Sequence, residues 1–270
     1  YNTIFNGQRK NISVENWVNN IYKVIFENDA LSTGVYTQEG TIQDYITVAR
    51  NENNLKEVAT ELKNKNKIKV EIISMDLSYV ENCIKLFEKQ KDIDILINNA
   101  GFGDCGDFTK TSLDKELKMI NTNIVAYHIL TKLYLQEMEN KNRGKILNVA
   151  SIAGFMPGPL MATYYATKAY IVSLSEAIKE ELKHKKSHVQ ISILCPGPVD
   201  TNFNKVADVI FKLKGLSSKY VADYAVKQFE KGKFYILPSL KIKFAKIGIK
   251  LAPTNLVSKI TYRIQKRKIQ

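Results

Sequence analysis

Ser151, Tyr164 and Lys168 are the residues of this chain whose types and spacing suit proton transfer. Tyr164 and Lys168 lie four apart, which places both on one face of a helix. An ammonium beside a phenol favours the phenolate and lowers a pKa of about 10 toward the range useful in acid–base chemistry. Tyr164 can then act as general acid or base. Ser151 stands thirteen residues earlier, at the end of an apolar run. Its hydroxyl can hydrogen-bond the same substrate oxygen as Tyr164, where negative charge develops during hydride addition to a carbonyl. A Tyr and Lys one turn apart are more often a surface pair, and Tyr165, three residues from Lys168, competes for the role.

A second cluster strengthens the first. The run Ile93–Ile97 ends in Asn98-Asn99-Ala100-Gly101, a polar pair and two small residues at the carboxyl end of a strand. A ligand's ribose or phosphate can approach backbone there. A turn whose Asn side chains satisfy backbone groups is an equally good reading of those residues alone.

These groups need a scaffold, and the hydropathy pattern supplies one. Short runs rich in β-branched and aromatic residues occur at Tyr45–Ala49, Lys69–Ser74, Ile93–Asn98, Lys145–Val149, Gln190–Leu194 and Lys233–Leu237. Between them, Glu52–Asn64, Val80–Lys91, Leu113–Asn140 and Tyr164–His184 carry apolar residues three and four apart, the period of a helix. In the last of these, Ala166, Ala169, Tyr170, Ser173, Leu174, Ala177 and Ile178 form a stripe suited to close packing against a sheet or another helix. Alternating strands and helices predict an α/β fold, a doubly wound parallel sheet of the Rossmann-like kind, with ligands beyond the carboxyl ends of the strands.

At 270 residues with 44% hydrophobic and 25% charged content, the chain has the composition of an ordinary globular protein. No uninterrupted apolar stretch reaches the roughly 18 residues of a membrane span. Cys83, Cys105 and Cys195 show neither CxxC spacing nor a histidine cluster, so neither a zinc site nor a disulfide framework is indicated and a cytoplasmic, reducing setting is expected. No secretion signal is evident, and His128, His184 and His188 lie at no metal-ligand spacing.

With these residues in place, the sequence resembles the short-chain dehydrogenase/reductase family from about residue 46 onward. Asn98-Asn99-Ala100-Gly101 is similar to the family's NNAG turn, Ser151 with Tyr164 and Lys168 to its active site, and Pro196-Gly197 to the turn after the sixth strand. The resemblance implies that Asn123 anchors a water-linked proton relay to Lys168. It implies that Asp76 and Leu77 sit beside an adenine ring, that Asn98, Ala100 and Gly101 line the cofactor, and that Val199 and Thr201 hold the nicotinamide amide. Tyr164 and Lys168 would contact the cofactor as well. Arg50, directly after the second strand, resembles members that bind the 2′-phosphate of NADP, so NADP is favoured over NAD; a solvated helix-start arginine is the alternative. The family commonly pairs subunits through the helices of Asn123 and Tyr164, which implies a homo-oligomer.

The first 45 residues depart from this pattern. The family's glycine-rich phosphate turn, Thr-Gly-x-x-x-Gly-x-Gly after strand one, should precede Arg50 by about 25 residues. Thr33-Gly34 with Gly40 is the nearest approach, its glycine spacing is wrong, and no full helix fits before Tyr45. The first strand and glycine loop are therefore expected to be missing or replaced, with Ile21–Phe26 as a candidate substitute. An absent central strand would leave neighbouring backbone groups unpaired, at about 1–3 kcal/mol each. The abrupt change near residue 46 is what a frame-shifted coding sequence leaves, and the missing initiating Met fits a piece of a longer chain. Trp17 and Asn6–Asn20 carry no recognisable mechanism. Three segments are expected: an atypical 1–45, a reductase domain over 46–240, and a basic amphipathic extension over 241–270.

That extension holds most of the formal charge of +13, because eleven Lys or Arg and no acid follow Glu230. Its apolar residues interleave with lysines up to Pro253 and form a face again from Leu256 to Ile264. It can lie on an anionic membrane, cover a substrate pocket, or pack as a helix with a solvated basic rim. No aromatic stacking platform accompanies the charge, so nucleic acid is not an expected partner. Phe203, Phe211 and Leu213 point to an apolar small-molecule carbonyl or alcohol substrate, or equally to core. Two function classes remain: an NAD(P)-dependent oxidoreductase using Tyr164, Lys168 and Ser151, and a catalytically impaired reductase-like protein acting through oligomer or membrane-surface contacts.

Overall fold

The computed structural model describes residues 33–39, 42–66, 69–201, 207 and 215–267. The expectations for Ile21–Phe26, Asn6–Asn20, Trp17, Gly40, Phe203, Phe211 and Leu213 fall outside these residues.

The predicted runs form strands: β2 (Ile42–Ala49), β3 (Lys69–Ser74), β4 (Ile95–Asn98), β5 (Lys145–Val149), β6 (Gln190–Leu194) and the short β9 (Tyr235–Ile236). β2 pairs in parallel with β3, and β4, β5, β6 and β9 pair in parallel in that order. Between the two groups lies β1 (Thr33–Glu39), giving a seven-stranded sheet in the order β3-β2-β1-β4-β5-β6-β9. β1 is antiparallel to both neighbours, with Gly34 opposite Thr47 on one side and Ile97 on the other. The central place is thus filled, by a strand that begins with Thr33-Gly34 and runs against its two neighbours. Two residues join β1 to β2, a length that suits a hairpin and excludes a parallel crossover. Val199–Asp200 (β7) and Leu216–Ser217 (β8) form a separate small parallel ladder.

Side chains alternate across the sheet, as the two-residue period of a strand requires. Ile97 and Leu147 face a cluster with Val58, Leu62, Val221 and Phe229, from α1 (Glu52–Asn66) and α6 (Ser218–Glu230). Their neighbours Leu96 and Ile146 face the opposite cluster with Leu86, Leu130, Tyr134 and Leu182. Those residues come from α2 (Val80–Lys89), α4 (Tyr127–Asn140) and α5 (Ala162–His184). Helices on both faces make the sheet doubly wound. α3 (Leu113–Ile120) runs into α4 through a π-helical turn, Asn121–Ala126, and Ile152–Phe155 forms a 3₁₀ turn after β5. The basic segment folds as α7 (Leu240–Leu251) and α8 (Thr254–Lys266), separated at Pro253.

The small-residue stripe of α5 is split: Ala166, Ser173 and Ala177 are exposed, while Ala169, Tyr170, Leu174 and Ile178 are partly buried, Tyr170 and Ile178 against core clusters. The fully buried side carries Tyr165, Thr167, Lys168, Ile171, Val172, Ser175 and Leu182. Three of these are Thr, Ser or Lys, which hydropathy alone does not mark as buried.

A buried polar chain ties the sheet to its helices. Asn98 Nδ2 donates to Asn148 Oδ1 (2.9 Å) and Thr131 Oγ1 (3.0 Å), and Asn148 Nδ2 donates to Ser175 Oγ (3.1 Å). Both Asn side chains are fully buried, where an unpaired polar group is expensive. Asn148→Ala is expected to cost about 3 kcal/mol of unfolding free energy in urea denaturation, because it orphans groups on Asn98 and Ser175 together. A loss below 1 kcal/mol would show that the chain is not a unit.

Candidate active site

The strands end in register. Ala49 pairs with Ser74, Asn98 with Asn148 and Val149 with Leu194, so the segments after β2, β3, β4, β5 and β6 emerge along one edge. Arg50, Asp76-Leu77, Ala100-Gly101, Ser151 and Pro196-Gly197 are all on it.

Ser151 is extended and caps the 3₁₀ turn, its hydroxyl accepting from Ala153 N (3.2 Å) and donating to Pro196 O (3.4 Å). It also hydrogen-bonds the Tyr164 phenol. Tyr164 and Tyr165 diverge: the Tyr165 hydroxyl accepts from Gln265 Nε2 of α8. The structure thus separates the two candidate tyrosines, with Tyr164 meeting Ser151 and Tyr165 facing the C-terminal helix.

Lys168 lies one turn beyond Tyr164 and is buried. Its Nζ donates to Val149 O (2.9 Å) and sits 5.6 Å from the Tyr127 ring centroid and 5.9 Å from that of Tyr164. Burial depresses its pKa to about 8, with Cys195 opposing weakly. Burial pushes the Tyr164 phenol above its ordinary value, against the lowering effect of the Ser151 hydrogen bond. The downward shift expected for Tyr164 is therefore not found. Withdrawal from water disfavours the charged form of each group, and it is the largest influence on both.

Asn123 sits in the π-helical turn, fully buried. Its amide brackets Phe102, accepting from Phe102 N (3.1 Å) and donating to Phe102 O (2.9 Å), and it also donates to Thr167 Oγ1 (3.0 Å). The extra residue of a π turn redirects a side chain, a feature common at functional sites. Gly101 lies against this group: a Cβ there would stand 3.0 Å from Asn123 Oδ1 and 3.5 Å from Lys168 Nζ. Asn123, Gly101, Lys168, Tyr164 and Ser151 are thus brought together.

The remaining predicted residues divide by position. Arg50 Nη1 stands 3.9 Å from Asp76 Oδ2, which Lys118 Nζ approaches at 3.4 Å. Partial burial acts to raise the Asp76 carboxyl, but hydrogen bonds from Ser78 and the Lys118 and Arg50 charges outweigh it and hold it below its ordinary value. Leu77 and Ala100 are buried. Asn98 turns inward to the polar chain and presents no side chain to the edge. Pro196 is buried, its carbonyl accepting from Ile152 N (2.9 Å), and Gly197 lies under Ile242 of α7. Val199 is in β7, and Thr201 follows it.

Sequence reasoning missed Gly154, Thr167 and Lys118. A Cβ on Gly154 would lie 2.6 Å from the Lys168 carbonyl oxygen, so this glycine lets the turn bearing Ser151 press against the first turns of α5. Its place three residues after Ser151 was the available signal. Thr167, between Tyr164 and Lys168, and Lys118, one turn before the π-helical segment, had none. Among the described residues no group of acidic, His or Cys side chains is arranged to hold a metal.

The family model for short chain dehydrogenases matches residues 36–208. An uncharacterised oxidoreductase of Staphylococcus saprophyticus is 31% identical over 67% of this chain and 78% of its own length. The ketoacyl reductase HetN of Nostoc is 31% identical over 76% of this chain and 74% of its own. Among solved structures, a short-chain dehydrogenase from Sphingobium yanoikuyae in complex with NADPH superposes with a TM-score of 0.71 at 24% identity, covering 79% of this chain and 85% of that one. A Burkholderia phymatum short chain dehydrogenase/reductase in complex with NAD gives 0.68 at 22% identity, over 77% and 86%.

The depressed Lys168 pKa has a measurable consequence. Above pH 8 the folded chain gives up this proton while the unfolded chain, with the ordinary value of 10.5, keeps it. The unfolded state then binds more protons, so this group's contribution to stability rises with pH between about 8 and 10.5. In urea titrations, the unfolding free energy of the protein relative to Lys168→Met should rise across that window by on the order of 3 kcal/mol. A flat difference would mean that Lys168 titrates like a solvated lysine.

Proposed function

The chain belongs to the short-chain dehydrogenase/reductase family of oxidoreductases, and on that premise we propose that it moves a hydride between a nicotinamide cofactor and a carbonyl or secondary alcohol, with Tyr164 handling the proton. The observation carrying this proposal is the hydrogen bond between the Ser151 hydroxyl and the Tyr164 phenol, with Lys168 buried beside the same ring. Ser151 orients the substrate oxygen. Tyr164 gives that oxygen a proton in reduction and takes it back in oxidation. Lys168, as an ammonium, favours the phenolate left behind, and Asn123 holds the backbone at Phe102 next to both.

The cofactor, when bound, supplies or accepts the hydride. The residues present fit it at two ends. Gly101, where a Cβ would crowd the Asn123 side chain at 3.0 Å, gives backbone close access beside Lys168. Arg50, exposed at the end of β2, offers a guanidinium fork for a 2′-phosphate, which favours NADP over NAD. The similarity to the Nostoc ketoacyl reductase supports a ketone as the carbonyl class.

A specific observation favours the alternative of an impaired reductase. β1 enters the cofactor edge at its N-terminal end, so the strand-to-helix turn that would meet a pyrophosphate is not among the described residues. Fluorescence quenching by NADPH and turnover of a carbonyl panel separate the two. The purified chain is expected to bind NADPH, and Tyr164→Phe to keep that binding while losing about 10²–10⁴-fold in turnover. A chain that neither quenches nor turns over would establish the impaired reading. Turnover unchanged in Tyr164→Phe would remove Tyr164 from the mechanism.

A further inference from the structure

We propose that α7 and α8 form a docking face for an anionic lipid bilayer. The proposal stands on the surface of these helices and does not rest on the reductase reading.

On α7, Leu240, Phe244, Ile247 and Leu251 are 68%, 71%, 57% and 79% exposed. With about 100° between successive residues, the four share one narrow face. Ile242, the buried anchor of this helix, points the opposite way into a cluster with Tyr127, Ile171 and Cys195. The apolar stripe is therefore turned outward from a helix already seated on the protein. Lys243 and Lys250 flank the stripe on one side and Lys241 on the other, all exposed. α8 carries the same two components in a different arrangement. Val257, Thr261 and Gln265 are buried, while Leu256, Ile260 and Ile264 are 51%, 47% and 42% exposed along an adjacent face. Lys259, Arg263 and Lys266 border that face on the side away from the protein.

Large apolar side chains at full exposure cost free energy unless something covers them. Charge identifies the occupant. From Lys231 to the last residue there are eleven Lys or Arg and no Asp or Glu, whereas the preceding 230 residues carry a net charge of only +2. A second copy of the chain seated on this face would bring two such basic fields together without a countercharge from these helices. A bilayer with anionic headgroups accepts both components, taking the Leu, Phe and Ile side chains below the headgroups and leaving the lysines among the phosphates. Among the described residues no helix is long and apolar enough to span a membrane, so contact through these helices lies in the surface plane.

The face is joined to the candidate active site. Lys246 of α7 lies over the Phe155 ring (4.8 Å), Thr261 of α8 approaches Met156 Sδ (3.7 Å), and Gln265 bonds the Tyr165 hydroxyl. Both helices thus pack on the 3₁₀ turn that carries Ser151 or on the segment directly after it, and α8 reaches the neighbour of Tyr164.

Vesicle flotation of the full chain tests this, comparing phosphatidylcholine alone with phosphatidylcholine containing a minority of phosphatidylserine, each at low and high salt. The chain is expected to float with the anionic vesicles at low salt and to be largely released at high salt. Lys243→Gln with Lys250→Gln should weaken the partition about fivefold per lysine. Phe244→Ser with Leu251→Ser should abolish it, and because both positions are exposed the circular dichroism should stay that of the parent. No flotation with either vesicle would overturn the proposal, as would equal binding to neutral vesicles regardless of salt. Light scattering that shows a dimer converted to a monomer by Phe244→Ser with Leu251→Ser would assign the face to a second copy instead.

Discussion

A lysine held out of water at the end of a sheet is the constraint around which this molecule is arranged. Lys168 cannot be buried without partners, and each of its partners comes from a different element: the Val149 carbonyl at the end of β5, the Tyr127 ring after the π-helical turn, and the Tyr164 ring one turn back on its own helix. To admit it, α5 must lie close to the strand ends, and Gly154 permits that approach by presenting no side chain to the Lys168 carbonyl. Gly101 does the same from the other side. The geometry that brings Ser151 to Tyr164 is a consequence of packing around this ammonium. Burial disfavours the charged form and outweighs the opposing effect of Cys195.

β1 shows how much of a fold can survive a reversal. A strand in the middle of a sheet must satisfy ladders on both sides, and β1 does so against β2 and β4 while running opposite to them. Either direction can satisfy the backbone, although the antiparallel ladder has straighter bonds and is slightly more stable per residue. Function is not indifferent. A parallel strand delivers its carboxyl end, and the turn that follows, to the ligand edge; an antiparallel one delivers its amino end. Ser151, Tyr164, Lys168 and Asn123 are brought together beside the end of β5, while β1 presents its amino end at the edge where Arg50 stands.

The C-terminal helices join two kinds of surface. Ile242, Val257 and Gln265 tie them to the body close to Ser151 and Tyr165, and their outward stripes are apolar and bordered by lysine. A helix that is amphipathic toward its own protein ordinarily has a polar outer face. On α7 the outer face is apolar too, with the basic residues at its borders, whereas on α8 the exposed apolar face adjoins the buried one and the basic residues lie outermost.

The α/β class, six strands of the sheet, and the grouping of Ser151, Tyr164 and Lys168 were legible in the sequence, because each depends on local periodicity or on short spacings along the chain. Ser151, Tyr164 and Lys168 could be read together since an i, i+4 pair shares a helical face whatever surrounds it. Spacing to Lys168 also favoured Tyr164 over Tyr165, but what holds Tyr165 apart was hidden, because it is bonded by Gln265, a hundred residues away in sequence. The direction of β1 was equally hidden, as a run of residues pairs in either sense and only the two-residue hairpin and the place left between β2 and β4 decide. The raised Tyr164 pKa, the inward turn of Asn98 and the sheet-facing side of α5 belong to the same class: each is set by how much water the packed fold excludes and by partners from distant elements. Sequence determined which groups could do chemistry and roughly where along the chain they stood. Tertiary structure decided which of them meet, because desolvation and hydrogen bonding depend on everything packed around a group and not on its neighbours in the chain.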